Sequence, residues 1–239
     1  MVLNDGGQRS SLDYCPVKAR EDRLRLLRPF PLTKTRQQFL TVFNLLKICY
    51  NKSMKDSRLK IAVSGAARIS HCAKGIEKLS REIGREIARQ KCILITGATT
   101  GVPYFVARGC KEKGGFSVGF SPASSEAAHV KTYKLPTDAF DIIIYTGFDY
   151  SGRNLLMTNA ADGVIIICGR MGTLNEFTTA FEDQKPIGVL EGSGGAADKI
   201  KIIATNHFRG VKKIVYDRNS KKLVRKLIAL IKKEKKKFK

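Results

Sequence analysis

The sequence predicts an α/β protein: a doubly wound parallel sheet of about six to seven strands with helices on both faces. Two observations predict it. Short runs that are apolar at every position, such as CILIT at 92–96 and VIIIC at 164–168, recur along the chain. Segments of roughly a dozen residues with apolar positions at helical spacing alternate with them. A strand that is apolar on both faces needs cover on both faces, and crossover helices supply it.

The elements follow in order. Leu59–Ser64 is a short apolar run that stops at Gly65. Ile76, Leu79, Ile83 and Ile87 then recur at helical spacing among Lys, Glu and Arg. Cys92–Thr96 is the second strand and ends at Gly97. Val102–Lys113 can form a helix, which Gly114 and Gly115 break. Phe116–Phe120 is the third strand, Asp141–Tyr145 the fourth and Val164–Cys168 the fifth. Leu174–Asp183 reads as the next helix and Ile187–Leu190 as a sixth strand, with Lys213–Tyr216 a candidate seventh. Asp217 opens a last amphipathic helix carrying Leu223, Leu227, Ile228 and Ile231. This is the Rossmann-like class, in which ligands bind beyond the carboxyl ends of the strands, near the switch in strand order.

The chain has 239 residues, 43% of them hydrophobic and 27% charged, which argues against disorder, collagen-like repeats and a membrane-spanning protein. The net charge of +23 is uneven. Residues 1–60 carry 13 Lys and Arg against 5 Asp and Glu, and residues 211–239 carry 13 against 2. The middle is nearly balanced. The expected organisation is a basic extension over residues 1–56, a Rossmann-like domain over 57–231 and a Lys-rich tail over 232–239. The restart at Met54 also admits a later translation start. Basic ends fit either solvated tails or non-specific nucleic-acid contact.

Six cysteines stand at 15, 49, 72, 92, 110 and 168, with no CxxC pair and no zinc-type spacing with the three histidines. Cys92 and Cys168, inside apolar runs, read as reduced core cysteines. No secretory segment is visible, and a reducing cytoplasm fits best. Nothing in the sequence requires a metal or a resident cofactor.

Three strand-ending turns are candidates for chemistry. They are Ser64-Gly65-Ala66-Ala67, then Gly97-Ala98-Thr99-Thr100-Gly101-Val102-Pro103, then Gly169-Arg170-Met171-Gly172-Thr173. Glycine lets backbone approach a phosphate, and a helix N-terminus offers free N–H groups and a positive dipole end. Strand-to-helix turns also need glycine for steric reasons alone. None of the three is a Walker A loop or a good GxGxxG match. Thr146 and Gly147 end the fourth strand, where they can line the same pocket beside Arg153. His71 lies just past the first turn, either facing the rim or incidental to it.

The segment from Arg153 to Glu176 reads RNLLMTNAADGVIIICGRMGTLNE. It closely resembles the LOG family, once labelled lysine-decarboxylase-like, within the SLOG group of Rossmann-fold nucleotide-binding proteins. The pattern of that family runs R-K-x-x-M, then Asp, an apolar strand and P-G-G-x-G-T-x-x-E. Arg153, Met157, Asp162, Gly169, Gly172, Thr173 and Glu176 fall on it without a gap, and the likeness extends over about residues 59–190. The broader group includes molybdenum-cofactor carriers, whose corresponding Arg is often followed by Asn; Arg153-Asn154 is similar to that branch. The chain has Cys168 in place of the family's Pro and Arg170 in place of its second Gly. Arg170 can bind the phosphate as a bidentate donor, or block the pocket.

The resemblance implies a nucleotide or other phosphorylated small molecule as partner, and a homodimer. The implied activity is hydrolysis of the N-glycosidic bond of a nucleoside 5′-monophosphate to free base and ribose 5-phosphate. The transition state of that reaction is oxocarbenium-like, so a carboxylate near the ribose stabilises it and a guanidinium holds phosphate or assists the leaving base. Glu176 and Arg153 would take those roles. A carrier that binds without turnover is the alternative. Residue spacing leaves plainer readings open too. Thr173-Leu174-Asn175-Glu176 is also a capping box, Arg153 can be a surface residue, Asp162 a turn residue, and Asp149 a helix cap.

Overall fold

The computed structural model describes residues 58–205 and 213–237. The extension expected over residues 1–56 lies outside the described residues. Seven strands form one sheet: β1 (Lys60–Gly65), β2 (Ile93–Thr96), β3 (Phe116–Ser121), β4 (Ile142–Tyr145), β5 (Gly163–Ile167), β6 (Ile187–Leu190) and β7 (Ile214–Asp217). Their order is β4-β3-β2-β1-β5-β6-β7, and every pairing is parallel. Among the described residues the helices are α1 (Ile76–Arg89), α2 (Val102–Lys111), α3 (Asp149–Ala160), α4 (Met171–Glu182), α5 (Ile200–Thr205) and α6 (Ser220–Lys236). A π-helical turn over Ala128–Thr132 and a 3₁₀ turn over Ala197–Lys199 complete the order.

The expected Rossmann-like architecture is the one observed. Alternate residues of a strand point to opposite faces, so the all-apolar strands feed two cores. Ile61 and Val63 of β1 join Ile83 and Ile87 of α1, Val106 of α2 and Leu223 and Leu227 of α6 on one face. Ala62, between them, joins Met157 of α3, Phe177 of α4 and Ile200 on the other. All five residues of β5 are buried. β4 is an edge strand, and there Ile142 and Ile144 are exposed.

Two element ends differ from the sequence reading. The last helix starts at Ser220, not Asp217, because Asp217 completes β7 and the Asn219 side chain accepts from Lys222 N as the N-cap. It runs to Lys236, so residues 232–236 of the Lys-rich tail are helical. Helix α4 begins at Met171, three residues before the expected Leu174.

Strand order reverses between β1 and β5: the chain leaves β1 toward β2, β3 and β4, and returns at β5 on its other side. The C-terminal ends of β1 and β5 pair Gly65 with Ile167. The first and third glycine turns therefore meet at the switch point, where a crevice is expected.

Candidate functional site

A cavity of about 500 Å³ opens at this point. Its lining includes Ser64, Gly65, Gly97, Thr99, Arg153, Asn154, Arg170, Gly172, Thr173 and Glu176, all expected from the sequence. Val63, Ala66, Ala67, Arg68, Pro103 and Tyr150 also line it. Tyr150 follows from nothing local; its place depends on where α3 packs.

Arg153 and Glu176 are buried, with 6% and 5% exposure. Glu176 reaches across from α4 to β1, where the Ser64 hydroxyl donates to its Oε2. Arg153 Nη1 is 3.5 Å from Glu176 Oε1. Asn154 turns its Nδ2 to Glu176 Oε1 and Tyr150 O, each at 2.9 Å, an amide orientation set by these partners. The Arg153 guanidinium also lies 5.9 Å from the centre of the Tyr150 ring. Its Nε has no hydrogen-bond partner. Gly97 makes room for this group: a Cβ there would lie 1.9 Å from Arg153 Nη1.

The capping-box alternative for Glu176 fails. Helix α4 has Arg170, not Thr173, at its N-cap, and no side chain caps it. The surface alternative for Arg153 fails on burial. Asp162 accepts from Lys60 N at 2.8 Å, as a turn residue bracing β1. Asp149 is the first residue of α3 and accepts from the Tyr133 hydroxyl.

Burial pushes the Glu176 carboxyl up, against the pull of the Arg153 charge and the Ser64 hydrogen bond. Burial acts on Arg153 in the opposite direction and lowers its pKa, opposed by Glu176. Three arginines (68, 153 and 170) against one carboxylate line the cavity. Helix α4 adds its N-terminus through Gly172 and Thr173. The first N–H groups of a helix have no partner within it and carry its positive dipole end. The arrangement can bind an anion, and an exposed Arg170 forms part of the wall of an open space rather than filling it.

Six other expected residues stand elsewhere. Thr146 Oγ1 donates to Ser121 O at 2.7 Å, and Gly147 follows it at the edge strand, three strands from β1. Thr100 Oγ1 donates to Ala67 O, and Gly101 is the N-cap of α2; both shape the turn without lining the cavity. Gly169 takes φ 92°, and a Cβ there would strike the Thr173 side chain. Met171 is 76% exposed and faces a separate apolar hollow with Leu174 and Ile203.

The reading of Cys168 as a reduced core cysteine is overturned: it is disulfide-bonded to Cys72. The two are 96 residues apart; the adjacency of β1 and β5 brings them together, and the loop after β6 bonds to both segments through Ser193. The separation of the histidines from the cysteines does not hold either. A His71 ring nitrogen and the sulfurs of Cys72 and Cys168 lie within 4.8 Å of one another, a donor set of the kind that holds a metal. In this structure the two sulfurs are bonded to each other. Cys168 has φ 50°, a left-handed conformation closed to proline, whose ring holds φ near −65°. The loop therefore follows a course here that a proline could not. Cys92 is free and buried as expected; Cys110 is free and buried too, and burial pushes its thiol up to about 12. Among the described residues no helix is long and apolar enough to cross a membrane.

The fold and the site define a Rossmann-like α/β protein with a cationic cavity at the topological switch point. More narrowly, the chain belongs to the SLOG cluster4 family, whose model matches residues 58–224. It is similar to an uncharacterised protein of Archaeoglobus fulgidus, 27% identical over 133 residues, covering 56% of this chain and 82% of that one. The fold is similar to that of the molybdenum cofactor binding protein from Rippkaea orientalis, at a TM-score of 0.60 and 24% identity, covering 74% of this chain and 99% of that one. The Moco carrier protein from Chlamydomonas reinhardtii matches at the same TM-score, identity and coverage.

Proposed function

We propose that this chain binds a phosphorylated nucleotide or nucleotide-like cofactor in the switch-point cavity and holds it without turning it over. One observation carries the reading: a buried guanidinium with an unpartnered Nε sits at a cavity where three arginines and a helix N-terminus outweigh one carboxylate. A phosphate there gains charge-assisted hydrogen bonds in a partly dry site. The names of the two structural neighbours, a cofactor binding protein and a cofactor carrier, support binding as the role.

N-glycosidic hydrolysis is the second reading, favoured by the Glu176–Arg153 pair. Against it stand the partners of Glu176. Stabilising an oxocarbenium-like centre requires a carboxylate oxygen turned to the ribose. Ser64, Arg153 and Asn154 already engage the Glu176 oxygens.

The test incubates the full chain with a panel of nucleoside 5′-monophosphates and with molybdenum cofactor. It reads thermal stabilisation, and chromatography for free base and ribose 5-phosphate. A ligand at a hundred times its Kd should stabilise by about 2.7 kcal/mol. Stabilisation without release supports the carrier reading. Release that vanishes in Glu176→Ala supports the hydrolase, and neither effect from any ligand refutes both.

A homodimer is the assembly proposed. Ile142 and Ile144 on β4 and Phe148, Leu155 and Leu156 at α3 are exposed large apolar groups. A second copy covering them would remove an edge strand and an apolar surface from water. Sedimentation of Ile144→Lys against the parent chain tests this: the variant should be monomeric if the parent is a dimer.

A further inference from the structure

The Cys72–Cys168 disulfide ties the segment after the first turn to the segment before the third, and neither cysteine lines the cavity. Cys72 is partly exposed, whereas Cys168 is fully buried. The His71 ring lies against the pair. Its Nε2 is 3.6 Å from Cys168 Sγ and 3.2 Å from Gly169 O, and its Nδ1 accepts from Arg170 Nε at 3.3 Å. An acceptor at Nδ1 puts the ring proton on Nε2, facing the carbonyl and the sulfur.

A disulfide with only a bracing role does not need an imidazole N–H at one of its sulfurs. An exchanging disulfide can use one to stabilise the leaving thiolate. Thiol–disulfide exchange goes by thiolate attack on an accessible sulfur and departure of the other as thiolate, faster when the leaving thiolate is stabilised. Here Cys72 is the partly exposed residue of the pair and takes the attack, and the buried Cys168 supplies the departing sulfur. His71 Nε2–H, with its nitrogen 3.6 Å from that sulfur, stands ready to stabilise it.

We propose that Cys72–Cys168 is a thiol–disulfide exchange site whose substrate is a dithiol reductant. The thiolate of the dithiol attacks Cys72 Sγ; the Cys72–Cys168 bond breaks, and its electron pair leaves on Cys168 Sγ. The second thiol of the reductant, after losing its proton, attacks its own sulfur in the mixed disulfide and expels Cys72 as thiolate. Protonation of both cysteines completes the balance: the protein gains two electrons and two protons, and the reductant becomes a disulfide. Arg170 bonds to His71, so the redox state of the pair also bears on the rim of the cavity; this last link rests on the anion-binding reading above.

The test keeps the full chain native in dithiothreitol buffers of graded oxidised-to-reduced ratio. Differential alkylation and peptide mass spectrometry then read Cys72 and Cys168 apart from the other four cysteines. The two should reduce together, without unfolding by circular dichroism. His71→Ala should slow the reduction by about tenfold or more, the loss of a hydrogen bond to a charged group. With oxidised glutathione, Cys168→Ser should form a mixed disulfide at Cys72, whereas Cys72→Ser should leave the buried Cys168 unreacted. A pair that resists excess reductant until the protein unfolds would overturn the proposal. So would a reduced pair holding one equivalent of zinc after purification, or equal reactivity in the two serine variants. The link to the rim is read separately, as the affinity for a stabilising phosphate ligand in each redox state: an unchanged affinity refutes the link alone.

Discussion

Replacing Arg153 by Met removes a buried cation while keeping most of its length. The carboxylate it leaves behind is 5% exposed and retains Ser64 and Asn154 as partners. Breaking a buried ion pair from one side costs about 3–5 kcal/mol, because the other charge stays in the interior. The ion-pair distance of 3.5 Å and the two remaining partners place the expected loss near the lower end, about 3 kcal/mol at neutral pH. For a domain of this size that is a fall in Tm of roughly 6–12 °C. Part of the loss depends on pH. Folding raises the Glu176 pKa, so the folded state holds that proton more tightly than the unfolded chain does. The contribution of this group is therefore full below the ordinary carboxylate range and is lost as pH rises through the folded value. Without Arg153 the folded value rises further, so the loss in the variant should be smaller at pH 5 than at pH 8. Urea denaturation of the parent, Arg153→Met, Glu176→Gln and the double variant at both pH values measures this. Glu176→Gln should abolish the pH difference, and the double variant should recover most of the stability. A loss in Arg153→Met that is equal at the two pH values, or additive with Glu176→Gln, would refute the coupling.

Gly97→Ala should displace the Arg153 guanidinium, since the new Cβ would lie 1.9 Å from Nη1. Affinity for a phosphate ligand should fall about tenfold or more in isothermal titration, with the fold retained by circular dichroism. Ser193→Ala should cost about 1–3 kcal/mol in chemical denaturation. It leaves buried Cys168 N, bonded at 2.8 Å to Ser193 Oγ, without that acceptor. Asn219→Ala should cost about 1 kcal/mol by removing the cap of α6, seen as a lower Tm.

The strands were readable because a buried parallel strand has no polar face to obscure it; β5, buried at all five positions, is the plainest case. The segment from Arg153 to Glu176 was readable because its two ends lie on consecutive helices around one strand, so their pairing is nearly local. The start of α4 was misplaced for a related reason. Thr173 and Glu176 make a local capping signal, and the partner that draws Glu176 away, Ser64, is 112 residues distant. Thr146 and Gly147 ended a strand like any other, but β4 lies at the sheet edge and neither residue lines the cavity.

Periodicity and turn chemistry act between near neighbours. They therefore carried the fold class, most strand positions and the turns that bound the cavity. Strand order depends on contacts between distant residues, and β1 beside β5 was the one adjacency on which most of the site depended. It brought Ser64 to Glu176, set the first turn against the third, and closed Cys72 onto Cys168 beside His71. No local pattern encodes those meetings, because burial and strand pairing bring such residues together only after the whole sheet has formed.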